Sequence, residues 1–529
     1  MVSEYGGPAA DWNRWYREAI AEGVRRVREL PGVVLGFHST IDGLKKVEAG
    51  SLQEWLGSVP ELAEQVAELL VADETGTARV AALREISSPA EMLAALLDCM
   101  ARGKARQLMI RSEETFQWTL QHVGYDRLRM GGTSGNMANA LAPLGYPRVV
   151  VYAHPLSTKL AELFVDRPNL SVLAGGELVS PRVAAVRQSS TEIKALHWVF
   201  EFERDQPFSY PRLKNGVLHW EESRTPRANR FIAAWNPENN QLRVHPDFVT
   251  SLLEVGSGFT HFIISGFHIL SETYPDGSTY RECLQGVASF LERVRSRYPH
   301  LLLHYEFASI ASPLIRRGVV EEILPRVDSL GLNEVELIAI LRDLGEEQLA
   351  AGLEAADAAA GRAAAAGEVA TPPLEILLPG LVRVAEAGRL RRVHLHNLGY
   401  YLCLVRPGRG QPDGGNWQEA MKEARSGLLF AAALAAVRAA QGDLTDPGQA
   451  QDALEVPLSQ VGLRGVERIA QLAAEGAVRP DGAETPGVFS FQGWQGVLVP
   501  TRVVPRPLFT VGLGDVISAT AFLTGARQR

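Results

Sequence analysis

Cysteine is scarce in this chain. Cys99, Cys283 and Cys403 are the only three in 529 residues, an odd number set far apart. That spacing excludes a disulfide framework, argues against a zinc site and fits a reducing compartment. Basic blocks are missing too, and the formal charge of −8 gives no electrostatic reason to expect nucleic acid as a partner. Long hydrophobic runs are absent: the most apolar stretch, Gly427 to Ala440, is too short to span a bilayer and is interrupted by Arg438. The first residues, Met1 to Gly7, lack the basic-then-apolar layout of a secretion signal. Neither export nor membrane insertion is expected, and the expected location is cytoplasmic.

What is present is an ordinary globular composition, 46% hydrophobic and 22% charged. The length allows two or three average domains, or one large α/β core carrying a lid. Val33–Phe37, Arg148–Tyr152, His261–Ser265, Leu301–Glu306 and Val393–His396 are short apolar runs ending at Gly, Ser or charged residues, the pattern of buried parallel strands. Long amphipathic segments such as Tyr280–Arg297 and Gln418–Gln441 lie between them, as helices covering both faces of a sheet require. The alanine-biased stretch Leu344–Thr371 reads as a surface helix or insertion. The expected fold is therefore α/β, a doubly wound large domain. The texture changes over 42–121 and again over 193–235, where His197–Glu203 and Arg230–Trp235 alternate like antiparallel strands with one solvated face. These two stretches predict a smaller, discontinuous α/β lid domain; residues 1–41, 122–192 and 236–529 form the large one. Closure of such a lid would exclude water.

The most informative run is Thr510 to Phe522, in which Gly512-Leu513-Gly514 opens a helix-forming stretch and Asp515 stands at its start. Glycines let backbone amides crowd round an anion, and the free N–H groups of a helix N-terminus add positive potential. An acid in that place would repel bound phosphate, so it suits the group that takes a proton from an attacking hydroxyl. Asp is also favoured as a plain helix cap, and the run alone fits both readings. Gly131-Gly132-Thr133 is a second glycine-rich entry to a helix. Glu306, in His304-Tyr305-Glu306, and Glu336, in Asn333-Glu334-Val335-Glu336, stand at or beyond strand ends, beside the usual ligand crevice of an open α/β sheet. Carboxylates there would hold Mg²⁺, directly or through water, as nucleotide phosphates require; a surface ion pair is the alternative for each.

Taken in order, Gly36 to Asp42, Arg129 to Gly132, Arg227 to Ile232, Ser265-Gly266, His304 to Glu306, Gly331 to Glu336, His396 to Tyr400 and Thr510 to Ser518 resemble the ADP-dependent glucokinase and phosphofructokinase family of the ribokinase-like superfamily. The resemblance runs from about Val33 to Phe522. It implies an ADP-dependent sugar kinase that passes the β-phosphoryl group of ADP to a sugar hydroxyl, with glucose favoured as acceptor, and releases AMP. Asp515 matches the family's general base. Gly512, Leu513 and Gly514 match the anion hole, while Glu306 and Glu336, with Asp515 beside them, match the Mg²⁺ site that Asn333 shapes. Arg227 and Arg230 lie where related enzymes send an arginine from the lid to the phosphates. His396 belongs to the nucleotide side, Tyr400 or Tyr401 resembles an adenine-stacking aromatic, and the backbone near Val504 an adenine partner.

For the acceptor, Asp42 matches an aspartate that binds sugar hydroxyls, with Gly131 and Gly132 beside the same pocket. Glu85 resembles a lid glutamate of the glucokinases, and His197 is a further pocket candidate. Two departures alter polar groups facing the sugar: His38-Ser39-Thr40-Ile41-Asp42 stands where relatives have a pattern like Asn-Thr-Asn-Ile-Asp, and Thr133 where they often have Gln. Lys159 and nearby arginines are the groups that would receive the phosphate of fructose 6-phosphate, which makes phosphofructokinase the first alternative. An ATP-dependent kinase of the same fold and a catalytically silent sugar or nucleotide sensor are the others. The expected partners are a small sugar and ADP, with no nucleic acid or membrane, in a monomer or small homo-oligomer.

Overall fold

Strands that are apolar on both faces must be covered on both, and here they form the parallel centre of a twelve-stranded sheet. The computed structural model describes residues 9–71, 78–188, 193–406, 417–480, 486–508 and 512–526. In spatial order the parallel strands are Leu170–Ala174, Val149–Val151, Val33–Gly36, His261–Ile264, Leu302–Glu306, Ser329–Leu332 and Arg392–His396. Antiparallel strands extend the sheet beyond Arg392–His396, through Tyr400–Val405, Trp494–Pro500, Val488–Phe491 and Arg479–Pro480. Glu177–Val179 closes the other edge. Val33–Gly36 lies between Val149–Val151 and His261–Ile264, so strand order reverses there, and a crevice opens beyond the carboxyl ends.

The helices Ala9–Glu29, Trp417–Gln441 and Leu513–Gly525 pack on one another, while Pro246–Val255, Tyr280–Arg297, Pro313–Glu322 and Glu334–Asp343 make a second series. Glu347–Ala365 is the helix expected of the alanine-rich stretch. The buried cysteines are all free thiols.

A second, six-stranded sheet runs Glu85–Ile86, Arg106–Ile110, Asn229–Trp235, Leu196–Phe202, Thr40–Lys46 and Arg127–Gly131. Leu196–Phe202 and Asn229–Trp235 are antiparallel, as their alternation suggests. Arg127–Gly131, which the sequence reading placed with the large domain, is an edge strand of this sheet, antiparallel to Thr40–Leu44. Its half-exposed Arg-Leu-Arg-Met pattern suits an edge rather than a buried parallel strand. Pro207–Lys214 and Val217–Arg224 form a separate hairpin.

One row of paired residues crosses this sheet: Glu85, Met109, Ala234, His197, Asp42 and Arg129. Lateral partners project from the same face, and residues two or four apart along a strand share it. Arg230, four residues before Ala234, therefore faces the same way as Asp42 and His197.

Candidate active site

Gly512 caps the helix Leu513–Gly525 with a left-handed backbone (φ 69°). A Cβ there would lie 3.0 Å from the Asn136 side-chain amide, so glycine is needed for both conformation and space. The first intrahelical bond runs from Val516 N–H to Gly512 C=O at 3.3 Å, so the amides of Leu513, Gly514 and Asp515 precede the helical ladder. Gly132 opens the facing helix Thr133–Leu141 (φ 76°), and a Cβ on it would strike the His38 carbonyl at 2.5 Å. The two glycine turns thus meet: Asn136 Nδ2 donates to Asp515 Oδ2 over 3.2 Å.

Asp515 does not point away from the other acids. Burial pushes its carboxyl above the usual range, and hydrogen bonds from Asn136 and Thr133 and the charges of Arg438 and Arg230 draw it back. Asp42 is pushed up to about 7, chiefly by burial, with Arg230 and Arg129 opposing the rise and Asp515 adding to it. Its carboxylate lies directly over Gly131, where a Cβ would sit 1.9 Å from Oδ1. Glu336 is likewise pushed up to about 7 by burial, and Asp515 contributes to its rise. Glu306 is raised well above its ordinary value by burial, with Glu336 and Asp515 adding to the effect. Asp515 therefore links Asp42 on one side with Glu306 and Glu336 on the other, and the cations in the field of Asp42 and Asp515 are Arg230, Arg129 and Arg438. Carboxylates so raised, beside guanidinium groups, suit proton transfer.

The H-x-E and N-x-x-E segments are held from behind. His304 places Nδ1 2.9 Å from Ser329 Oγ and Nε2 2.8 Å from Ser518 Oγ, so the strand carrying Glu306 is tied to the helix carrying Asp515. His396 Nε2 lies 3.7 Å from Glu306 Oε1, and a Cβ on Gly514 would sit 3.0 Å from that same nitrogen, which puts His396 between Glu306 and the glycine turn. Burial drives its pKa down to about 4, so the ring there is neutral. Asn333 and Glu336 form a reciprocal capping box: Asn333 N–H donates to Glu336 Oε2 at 3.0 Å and Glu336 N–H to Asn333 Oδ1 at 3.1 Å. Ser309 adds a bond to Glu336 Oε1 at 3.3 Å.

Other expected site residues lie further from this centre or are already engaged. Arg227 is an exposed residue before its strand, and its Nε donates to the Gly103 carbonyl at 2.6 Å, so of the two lid arginines it is Arg230 that shares the field of Asp42 and Asp515. Glu85 is paired with Arg111, whose Nη2 is 2.6 Å from Oε1. Lys159 pairs with Glu162 at 3.1 Å on an exposed helix face. Tyr400 directs its hydroxyl to Glu334 Oε1 at 3.2 Å, and Glu334 is also bound by Asn397. Tyr401 is buried on the opposite side of its strand, its ring 6.0 Å from that of His394. Val504 lies partly buried in the segment after Trp494–Pro500. Thr510 and Val511 are outside the described residues.

A conserved-region model described as ADP-specific Phosphofructokinase/Glucokinase matches residues 31–524. The chain belongs to that family. It is 31% identical to an ADP-specific phosphofructokinase of Methanosarcina acetivorans over 97% of this chain and 96% of that one. It is 29% identical to an ADP-dependent glucose/glucosamine kinase of Pyrococcus furiosus over 97% and 98%. A solved structure of an ADP-dependent kinase with fructose-6-phosphate and ADPβS superposes with a TM-score of 0.76 at 27% identity, covering 98% of each chain. The family's α/β fold is the fold found here, and membership makes the chain an ADP-dependent sugar kinase, a phosphotransferase with a hydroxyl acceptor. No helix among the described residues is long and apolar enough to cross a membrane.

Several groups around Asp515 were not singled out by sequence. Asn136 sat in a run whose visible signals were the glycine pair and the Thr133 departure, and Thr133 was read toward the sugar rather than toward Asp515. Arg438 looked like a mere interruption of an apolar helix; its burial was the clue, because a guanidinium inside such a helix needs a counter-charge. Ser518 falls three residues after Asp515 on the helix, a spacing that turns it toward His304.

Proposed function

We propose that the protein transfers the β-phosphoryl group of ADP to a hydroxyl of an unphosphorylated hexose, glucose foremost, in the cytoplasm. The observation that carries this reading is the convergence of Asp515, held by Asn136, with Asp42 of the second sheet inside one cleft flanked by Arg230 and Arg438. Asp42 binds sugar hydroxyls and orients the acceptor, with His197 beside it in the row. Asp515 accepts the proton of the attacking hydroxyl. The amides at Gly512–Gly514 receive the migrating group, and Arg230 and Arg438 offset its charge.

The residues fit Mg²⁺ bound largely through water. Glu306 is a buried carboxylate, its raised pKa drawn back by Ser518 and its Oε2 3.7 Å from His304 Nε2, while Glu336 is committed to its cap. Mg²⁺ commonly keeps several waters and takes one or two carboxylates plus phosphates, so two carboxylates suffice for it. Glu306 and Glu336 would hold it there, and it would supply charge neutralisation for the phosphates.

Glucose is favoured over a sugar phosphate because Lys159, the lysine expected to receive that phosphate, is paired with Glu162 on an exposed helix face. Fructose 6-phosphate is the second reading, supported by the 31% identity to a phosphofructokinase and by Arg127 and Arg129 on the Asp42 face. AMP formation measured with ADP or ATP against glucose, glucosamine and fructose 6-phosphate tests both. The expected result is AMP from ADP with a kcat/KM for glucose at least about tenfold above that for fructose 6-phosphate. The reverse ratio selects the second reading, and no AMP with any sugar overturns the assignment.

A further inference from the structure

His38 stands where the strand Val33–Gly36 opens into the crevice, and its ring centroid lies 5.2 Å from that of His197 and 4.9 Å from that of His268. His197 is the row partner of Asp42, so this cluster borders the acceptor-binding carboxylate. The position of His38 is fixed by backbone: its N–H donates to Ser134 Oγ at 3.3 Å and its C=O accepts from Ser134 N–H at 2.9 Å. That anchors it to the helix whose Asn136 holds Asp515. His268 follows Gly266, where a Cβ would come within 2.8 Å of His38 Cβ, so the approach of the two rings depends on a glycine at that turn.

Both ring nitrogens of His38, Nε2 of His197 and Nδ1 of His268 are buried and have no hydrogen-bond partner among the described residues. The hydroxyls of Thr40 and Ser265, which flank His38 along the chain and across the sheet, are in the same condition. Buried polar groups are rarely left unpaired, and each costs about 1–3 kcal/mol if they are. Six orphaned atoms on neighbouring side chains call for a partner that is not protein.

Its chemistry follows from theirs. Burial holds the three imidazoles neutral, and repulsion from the neighbouring rings adds to it at His38 and His197. A neutral imidazole donates from one nitrogen and accepts at the other, the complement of a hydroxyl. A phosphate dianion would meet no cation among these three rings and would lose its hydration.

We infer that His38, His197 and His268 form a hydroxyl-reading chamber at the end of the acceptor pocket, and that His38 and His268 set which uncharged sugar face is accepted. This rests on the hexose-kinase reading above. It is tested in the full chain with His38→Phe and His268→Phe, which keep a ring but remove both nitrogens, measuring kcat and KM for glucose, 2-deoxyglucose, mannose and fructose 6-phosphate, and KM for ADP. The expected result is a sugar KM raised about tenfold or more in each variant, reduced discrimination between glucose and its deoxy and epimeric forms, and a KM for ADP within about twofold of the parent. The unchanged ADP value also reports that the variants are folded; if His38→Phe fails to fold, His38→Leu takes its place. An active parent whose sugar KM and discrimination are unchanged in both variants overturns the chamber and leaves the kinase reading intact. A parent that phosphorylates no sugar overturns the kinase reading itself.

Discussion

Asn136 donates to Asp515 across the mouth of the cleft, 3.2 Å from Nδ2 to Oδ2, and so joins the first turns of two helices that lie 379 residues apart in sequence. The bond favours the charged carboxylate, against the burial that favours the neutral acid. Removing it in Asn136→Ala should raise the Asp515 pKa further. Because a general base must be deprotonated, the acid limb of the kcat profile should move to higher pH, by about one unit for a hydrogen bond to a charged group. A profile of kcat against pH for both proteins checks this; an unmoved acid limb would remove Asn136 from the account.

The two lid arginines should separate cleanly. Arg230 shares the field of Asp42 and Asp515, whereas Arg227 donates to the Gly103 carbonyl. Arg230→Ala should lower kcat by about 10²–10³, the loss expected for one donor aimed at developing charge. Arg227→Ala should act mainly on Tm. Steady-state kinetics beside thermal unfolding of both variants would show whether the split is real.

Glu336→Gln tests the magnesium assignment with little disturbance of the helix, since glutamine can keep the capping box with Asn333. The expected outcome is a magnesium titration of activity displaced to higher concentration, with the variant still folded. Superimposable titrations would separate Glu336 from the ion.

Asp42 makes a prediction about stability. Its folded pKa is raised to about 7 from an ordinary 3.8. Between those values the folded state binds more protons than the unfolded one, so this group's contribution is fully present below about pH 4 and is lost as pH rises through 7. The loss is on the order of a few kcal/mol. In Asp42→Asn the titration is gone. In the absence of substrates, the Tm of the parent relative to this variant should therefore fall between about pH 4 and 7, and a pH-independent difference would contradict the shift.

Much of this was legible in the chain. The parallel strands are short, apolar and sharply ended, and burial on both faces leaves little else for such runs to become. Glu306 and Glu336 could be placed because strand ends fix where carboxylates fall. Arg127–Gly131 was assigned to the wrong neighbours because an edge strand is specified by its partner, Thr40–Leu44, more than by its own residues. Asn136, Arg438 and His268 escaped for a related reason: each acts through a contact made across hundreds of residues or a single tight turn, and no local periodicity encodes that. Arg227 and Arg230 were inseparable by sequence; strand pairing separated them.

The account stands most directly on Asp515. In Asp515→Ala, AMP formation from ADP and glucose should fall by about 10²–10⁴ in kcat, while equilibrium binding of ADP stays close to that of the parent. Turnover at the parental rate would contradict the assignment of Asp515 as the base that activates the sugar hydroxyl.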